Sequence, residues 1–202
     1  MTLVIVGGNS RNVGKTSLAC SILRATPELE WTAVKIAQFG HGMCTADGRP
    51  CDCAVYDARH PYAISEETDR DGSTDTSRLL RAGASRVWWL RTPQGRLGEA
   101  VPALRRRLGE ARAVLLESNS ARDFFEPDLY VSLLDCGVED FKPSAQRLLP
   151  RADAFALVGS AESGRWQGVD PALLEERPNF SVAPPDFSSD ELLEFVRRRL
   201  SV

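Results

Sequence analysis

Gly7-Gly8-Asn9-Ser10-Arg11-Asn12-Val13-Gly14-Lys15-Thr16-Ser17 follows the apolar run Leu3–Val6 and leads into Lys15–Ala25. Leu18, Ala19, Ile22 and Leu23 recur there at helical spacing. A strand, a glycine-bearing turn and a helix opening on Gly-Lys-Thr make the phosphate-loop signature in the context it needs. In such a turn, successive backbone N–H groups converge on phosphate oxygens, and the helix dipole adds to their field. Asn9, Ser10, Arg11, Asn12, Val13, Gly14, Lys15, Thr16 and Ser17 are therefore the expected nucleotide-binding residues. Lys15 would bridge the β- and γ-phosphates and the Thr16 hydroxyl would sit on Mg²⁺. The signature asks for glycine where Asn9 stands. Asn tolerates left-handed backbone angles better than most residues, with Gly7 and Gly8 placed to share the strain.

Outward from this loop, further strands are expected at Trp31–Ala37, Arg86–Leu90, Ala113–Glu117, Leu129–Leu134 and Ala154–Val158. Helical patterns cover Thr76–Ala84, Leu97–Ala111 and Glu191–Leu200. The alternation predicts an α/β chain: a three-layer P-loop NTPase fold with a mainly parallel central sheet, as one domain over 1–202. Trp88 and Trp89, adjacent on one strand, are expected in the core on both faces. The weakly patterned stretch 161–185 is expected to wrap the surface.

A P-loop needs a further acid for Mg²⁺ or its water. Glu117 closes the apolar run Ala113–Leu116, and Asp75 opens a helix after a long loop, where it also suits a helix cap. With Lys15 these make the expected catalytic set, and with Thr16 the expected Mg²⁺ set. Only three of the 25 basic residues are lysines, Lys15, Lys35 and Lys142. A lysine kept amid arginines supplies a compact point charge that a planar guanidinium cannot imitate, so Lys35 and Lys142 join the nucleotide-contact candidates. No Asn-Lys-x-Asp signature is present, which leaves ATP and GTP both open.

The 25 basic and 28 acidic side chains leave a net charge of −3, which argues against a large nucleic-acid surface. No apolar run approaches the ~20 residues a bilayer span requires. Met1 leads directly into a strand without a signal-like core, so a cytoplasmic protein is expected. The five cysteines read as thiols or metal ligands before disulfides.

Three of those cysteines and both histidines fall in the long segment 38–73, as His41, Cys44, Cys51, Cys53 and His60. That concentration suits a soft tetrahedral ion, and Zn²⁺ is the expected occupant of this insertion. Ni²⁺ in transit, an iron–sulfur cluster and unligated thiols stay open. Cys20 and Cys136 read as buried or incidental.

The chain resembles the molybdopterin-guanine dinucleotide biosynthesis protein B family (MobB-type P-loop proteins). The resemblance rests on Gly14-Lys15-Thr16-Ser17, Lys35, Leu115-Leu116-Glu117 and, most specifically, Asp75-Thr76-Ser77-Arg78-Leu79-Leu80-Arg81-Ala82-Gly83-Ala84. It implies GTP and Mg²⁺ binding, slow nucleotide hydrolysis, a partner enzyme of cofactor maturation and a homodimer. A metallochaperone GTPase similar to nickel-insertion proteins, suggested by the cysteines, and a small-metabolite kinase are the alternatives.

Overall fold

The computed structural model describes residues 1–39, 61–160 and 166–202. Among them, eight strands form one sheet: β1 (Thr2–Gly8), β2 (Trp31–Phe39), β3 (Ala63–Glu67), β4 (Arg86–Pro93), β5 (Ala113–Glu117), β6 (Leu129–Asp135), β7 (Ala154–Val158) and β8 (Asn179–Val182). Their spatial order is β3-β4-β2-β5-β1-β6-β7-β8, all neighbours parallel except the antiparallel pair β3–β4. Six helices complete the layers: α1 (Lys15–Ala25), α2 (Asp75–Arg81), α3 (Leu97–Leu108), α4 (Pro143–Leu148), α5 (Ala172–Glu176) and α6 (Asp190–Leu200). The three-layer, mainly parallel architecture expected from the sequence is the one observed.

Strand alternation sorts the core into two clusters. Leu3, Ile5, Val34, Ile36, Leu90, Val114 and Leu116 pack on one face with Ala100, Leu104 and Leu108 of α3. Val4, Val6, Ala33, Val87, Leu115 and Val131 pack on the other, against Leu18 and Ile22 of α1, Leu79 and Leu80 of α2, and Leu192 and Val196 of α6. Both faces are covered, so the central strands read as unbroken apolar runs, and Ala113–Leu116 is wholly buried. Truncating Leu115 to Ala here costs about 2–5 kcal/mol by the usual scale of core cavities.

The sequence expectation needs four corrections. Within the long segment after β2, Ala63–Glu67 is an edge strand, and within 161–185 the chain forms α5 and β8. Both strands are short, lie at or next to polar turns, and carry too few apolar residues to show a period. Trp88 is buried, but Trp89 is only partly so, with the Arg91 guanidinium 4.3 Å from its ring centre. Finally, Asp75 does not cap α2: Thr74 does, its hydroxyl accepting from the Ser77 N–H at 3.1 Å.

The chain crosses from one side of the sheet to the other about β1, which pairs with β5 on one edge and β6 on the other. Ligands in open parallel sheets bind outside the carboxyl ends of the strands at such a switch. Gly7-Gly8, Lys35 and Glu117 all end up there. No described helix is long and apolar enough to cross a membrane.

Candidate nucleotide-binding site

The loop between β1 and α1 is held from three sides. Asn119, just beyond β5, accepts from the Gly8 N–H at 2.8 Å and donates to the Gly8 carbonyl at 2.9 Å. From β6, the Asp135 N–H reaches Asn9 Oδ1 at 3.1 Å, while Asn9 Nδ2 donates to the Asp135 carbonyl at 3.2 Å. From the loop leading to α4, the Lys142 N–H donates to the Asn9 carbonyl at 2.9 Å and Asp140 accepts from Ser10 Oγ at 2.5 Å.

This changes the reading of Asn9. The left-handed positions of the loop are Asn12 (φ 56°) and Gly14 (φ 103°), and Asn9 is not one of them. Asn9 stands in place of glycine as a two-bonded strut to β6, its side chain wholly buried. Gly7, by contrast, admits nothing larger: a β-carbon there would lie 2.2 Å from Asn119 Oδ1 and 2.7 Å from the Tyr130 hydroxyl.

Gly14 opens α1, which has no acidic residue in its first turn and no side chain capping its N-terminal amides. Those amides and the positive end of the helix dipole face the cleft. Lys15 Nζ donates to the Ser10 carbonyl at 2.7 Å, so the ammonium folds back over its own loop. Burial, and then the charge of Lys142, lower the Lys15 pKa to about 7. Burial, and then Arg11, lower that of Lys142 to about 8. Among the described residues no carboxylate lies within ion-pair distance of either ammonium. Two such cations beside one loop concentrate positive charge that a polyanion would complement.

Next to them lies a different arrangement. The parallel register sets Lys35 of β2 directly beside Glu117 of β5, on the α1–α2 face. Lys35 Nζ is 2.5 Å from Glu117 Oε1, 2.8 Å from Asp75 Oδ2 and 3.3 Å from Thr16 Oγ1. Thr16 Oγ1 in turn donates to Glu117 Oε2 at 2.9 Å. Glu117 is 2% exposed, Lys35 17% and Asp75 34%. For Lys35, burial works to lower the pKa, but the two carboxylates outweigh it and raise the value. For Asp75, burial works to raise the pKa, and Lys35 outweighs it and lowers the value.

The structure therefore brings together Lys15, Thr16, Lys35, Asp75 and Glu117, with Arg11, Asn12, Ser17 and Lys142, along one cleft of about 1060 Å³. Val13 is buried in the core beneath the loop, and its place in the site is its backbone. His41, Cys44, Cys51, Cys53 and His60 lie outside the described residues, and with them the expected Zn²⁺ site. Among the described residues no group of three or more His, Cys, Asp or Glu is arranged to hold a metal. A Mg²⁺ site of the P-loop kind asks for less: one or two carboxylates and a hydroxyl, the remaining ligands being water and phosphate. Thr16, Asp75 and Glu117 are a hard, all-oxygen donor set that fits this demand.

Several participants escaped the sequence reading. Arg78 donates to Ser17 Oγ at 2.6 Å and lies 3.4 Å from Asp75, tying α2 to the start of α1. Its place one helical turn after Asp75 was the available signal. Asn119 and Asp140 act through contacts between segments far apart in sequence, which no local pattern marks. Phe187, between β8 and α6, packs so tightly on Gly14 that a β-carbon there would lie 2.5 Å from its ring.

No family model matches the chain, and no curated protein matches it by sequence. Among solved structures it is similar to LpxK from Aquifex aeolicus in complex with ATP, at 14% identity and a TM-score of 0.47, over 90% of this chain and 53% of that one. It is similar also to HypB from Helicobacter pylori in complex with nickel, at 13% identity and a TM-score of 0.49, over 100% and 86% of the two chains. The MinC:MinD cell division protein complex of Aquifex aeolicus gives 14% identity and a TM-score of 0.41, over 98% and 86%. The chain spans about half the length of LpxK. These likenesses concern the course of the chain alone.

Proposed function

We propose that this chain is a Mg²⁺-dependent nucleoside-triphosphate-binding protein that hydrolyses its nucleotide slowly in the service of a partner protein. The observation that carries this reading is the convergence of Lys15, Thr16, Asp75 and Glu117 on one loop and one helix N-terminus, where Lys15 and Lys142 line the cleft without a carboxylate partner among the described residues. The loop amides and Lys15 would hold the phosphates, Arg11 of the same loop and Lys142 beside it would add charge, and Thr16, Asp75 and Glu117 would hold Mg²⁺. Bound there, Mg²⁺ supplies charge neutralisation for the phosphates. The chain's own part is positioning and electrostatic stabilisation, which is most of what phosphoryl transfer asks of a protein.

The partner role follows the MobB-type resemblance of Lys35, Asp75–Ala84 and Leu115–Glu117: assistance in attaching a nucleotide to molybdopterin, with GTP as the nucleotide and a homodimer as the working form. The concentration of cysteine and histidine between His41 and His60 favours the second reading, a metal-handling NTPase. Calorimetric titration with GTP and ATP in Mg²⁺ tests the common core of both. Binding of one nucleotide, weakened at least tenfold by Lys15→Ala, is the expected result, and equal binding by wild type and variant would end it. Metal content of protein purified without chelator separates the two readings: about one Zn or Ni per chain, lost in a Cys51→Ser, Cys53→Ser double variant, favours the second. Light scattering after size exclusion reports the dimer.

A further inference from the structure

The ammonium of Lys35 touches all three side chains that would hold Mg²⁺. It lies 2.5 Å from Glu117, 2.8 Å from Asp75 and 3.3 Å from the Thr16 hydroxyl. No other described side chain in the cleft does this. Lys15, one residue from Thr16, turns away to the Ser10 carbonyl. The cation expected at these oxygens is thus already represented, by a charge on the end of a β2 side chain.

We propose that Lys35 is a built-in counter-ion that occupies the Mg²⁺ position in the nucleotide-free protein and yields it only when a third phosphate arrives to receive the ammonium. The proposal rests on the nucleotide-binding reading above and adds what that reading lacks: a reason for the site to tell a nucleoside triphosphate from a diphosphate. Mg²⁺ and an ammonium repel each other and compete for the same lone pairs. Glu117 is almost wholly buried, so the charge beside it is exchanged, never simply removed. Lys35, 17% exposed where it stands, needs on displacement a new anionic partner within reach of its flexible stem. The γ-phosphate, held by the adjoining loop, is that partner. A diphosphate leaves that place empty, so with it the exchange is unfavourable. Arg78 cannot substitute, because its guanidinium is engaged by Ser17 and Asp75.

The order of events follows. Nucleotide binds first on Lys15, Lys142 and the loop amides, and Mg²⁺ then displaces Lys35. Loss of the γ-phosphate returns Lys35 to Glu117 and Asp75 and expels the metal. Asp75 begins α2 and Arg78 lies on it, so the exchange at Lys35 is felt by α2.

Mn²⁺, which replaces Mg²⁺ and is counted by electron paramagnetic resonance, is the probe. Wild-type protein is expected to bind Mn²⁺ weakly alone or with a nucleoside diphosphate. A non-hydrolysable triphosphate is expected to tighten it at least tenfold, after correction for metal held by free nucleotide. In Lys35→Met the nucleotide-free protein should bind Mn²⁺ at least tenfold more tightly than wild type, and the gap between di- and triphosphate should close. Mn²⁺ should also raise the unfolding temperature of Lys35→Met and not that of wild type. Lys35→Arg, which keeps the charge, should resemble wild type in excluding the metal. Equal Mn²⁺ affinity of wild type and Lys35→Met, with triphosphate binding intact, overturns the proposal and leaves the P-loop reading standing. If Lys35→Met does not fold, equal Mn²⁺ affinity of wild type with di- and triphosphate overturns it alone. Failure of wild type to bind any nucleotide would instead remove the reading on which it rests.

Discussion

Lys15 and Lys35 reach into the same cleft from α1 and β2, and the protein treats them in opposite ways. Around Lys35 it has gathered two carboxylates and a hydroxyl, and the ammonium is held charged, its pKa raised. Around Lys15 it has gathered a carbonyl oxygen and a second lysine, and burial with that charge brings the pKa to about 7. One cation is satisfied by the fold and the other is left wanting. The difference teaches where energy for binding an anion can be kept: a lysine completed by its neighbours stabilises the resting protein, whereas an incomplete one raises its energy until, on the proposed function, a phosphate arrives.

The comparison breaks most visibly at Lys35. Replacing it by Met strands Glu117 in the interior, and a loss of about 3–5 kcal/mol is expected in urea unfolding of the metal-free protein. A loss below ~1 kcal/mol would mean that the pair is solvated and that the contrast with Lys15 is empty. Lys15→Met should act in the other direction on stability. Removing an unpaired ammonium should raise the nucleotide-free protein by about 1–2 kcal/mol after discounting for solvent at the cleft mouth. The same variant should lose at least tenfold in nucleotide affinity, about 1.4 kcal/mol. A Lys15→Met protein less stable than wild type would contradict the assignment of stored energy to this residue.

Titration sharpens the same point. Lys15 and Lys142 are lowered from 10.5 to about 7 and about 8. Between those values and 10.5 the unfolded chain holds protons that the folded one has shed, so stability rises with pH across that window. The urea midpoint of nucleotide-free wild type should therefore climb from pH 7 to pH 9, and that of Lys15→Met should climb less. Parallel curves would show that Lys15 does not titrate there. The smallest effect belongs to the surface pair Arg147–Asp123, 2.6 Å apart with the arginine side chain 59% exposed. Arg147→Ala should cost less than about 1 kcal/mol, which sets the scale against which the Lys35 loss is read.

Much of this was legible in the sequence because its signals are local. The loop, its helix and the apolar strands announce themselves through spacing, and Glu117 through its place at the end of Ala113–Leu116. Lys35 was visible as one lysine among many arginines, but its partners were not. They follow from the β2–β5 register and from α2 folding back over it, which are properties of the whole sheet. Asn9 was misread for a related reason. The signature supplied a backbone role for that position, while the residue acts through side-chain bonds to Asp135 on a strand far along the chain. β3 and β8 were missed because edge strands need little apolar surface and so leave little pattern.

Gly7 fixes the order in which this neighbourhood can change over generations. Its missing side chain is the space that Asn119 and Tyr130 occupy. A lineage that gained alanine at position 7 first would drive a methyl group into an amide oxygen and a phenol. One that first traded Asn119 and Tyr130 for smaller residues would lose the clamp on Gly8 before gaining anything in return. Each path to a different trio passes through a worse protein. The three residues are therefore expected to be inherited together, and relatives that depart from glycine at this place should carry compensating changes at both of the others.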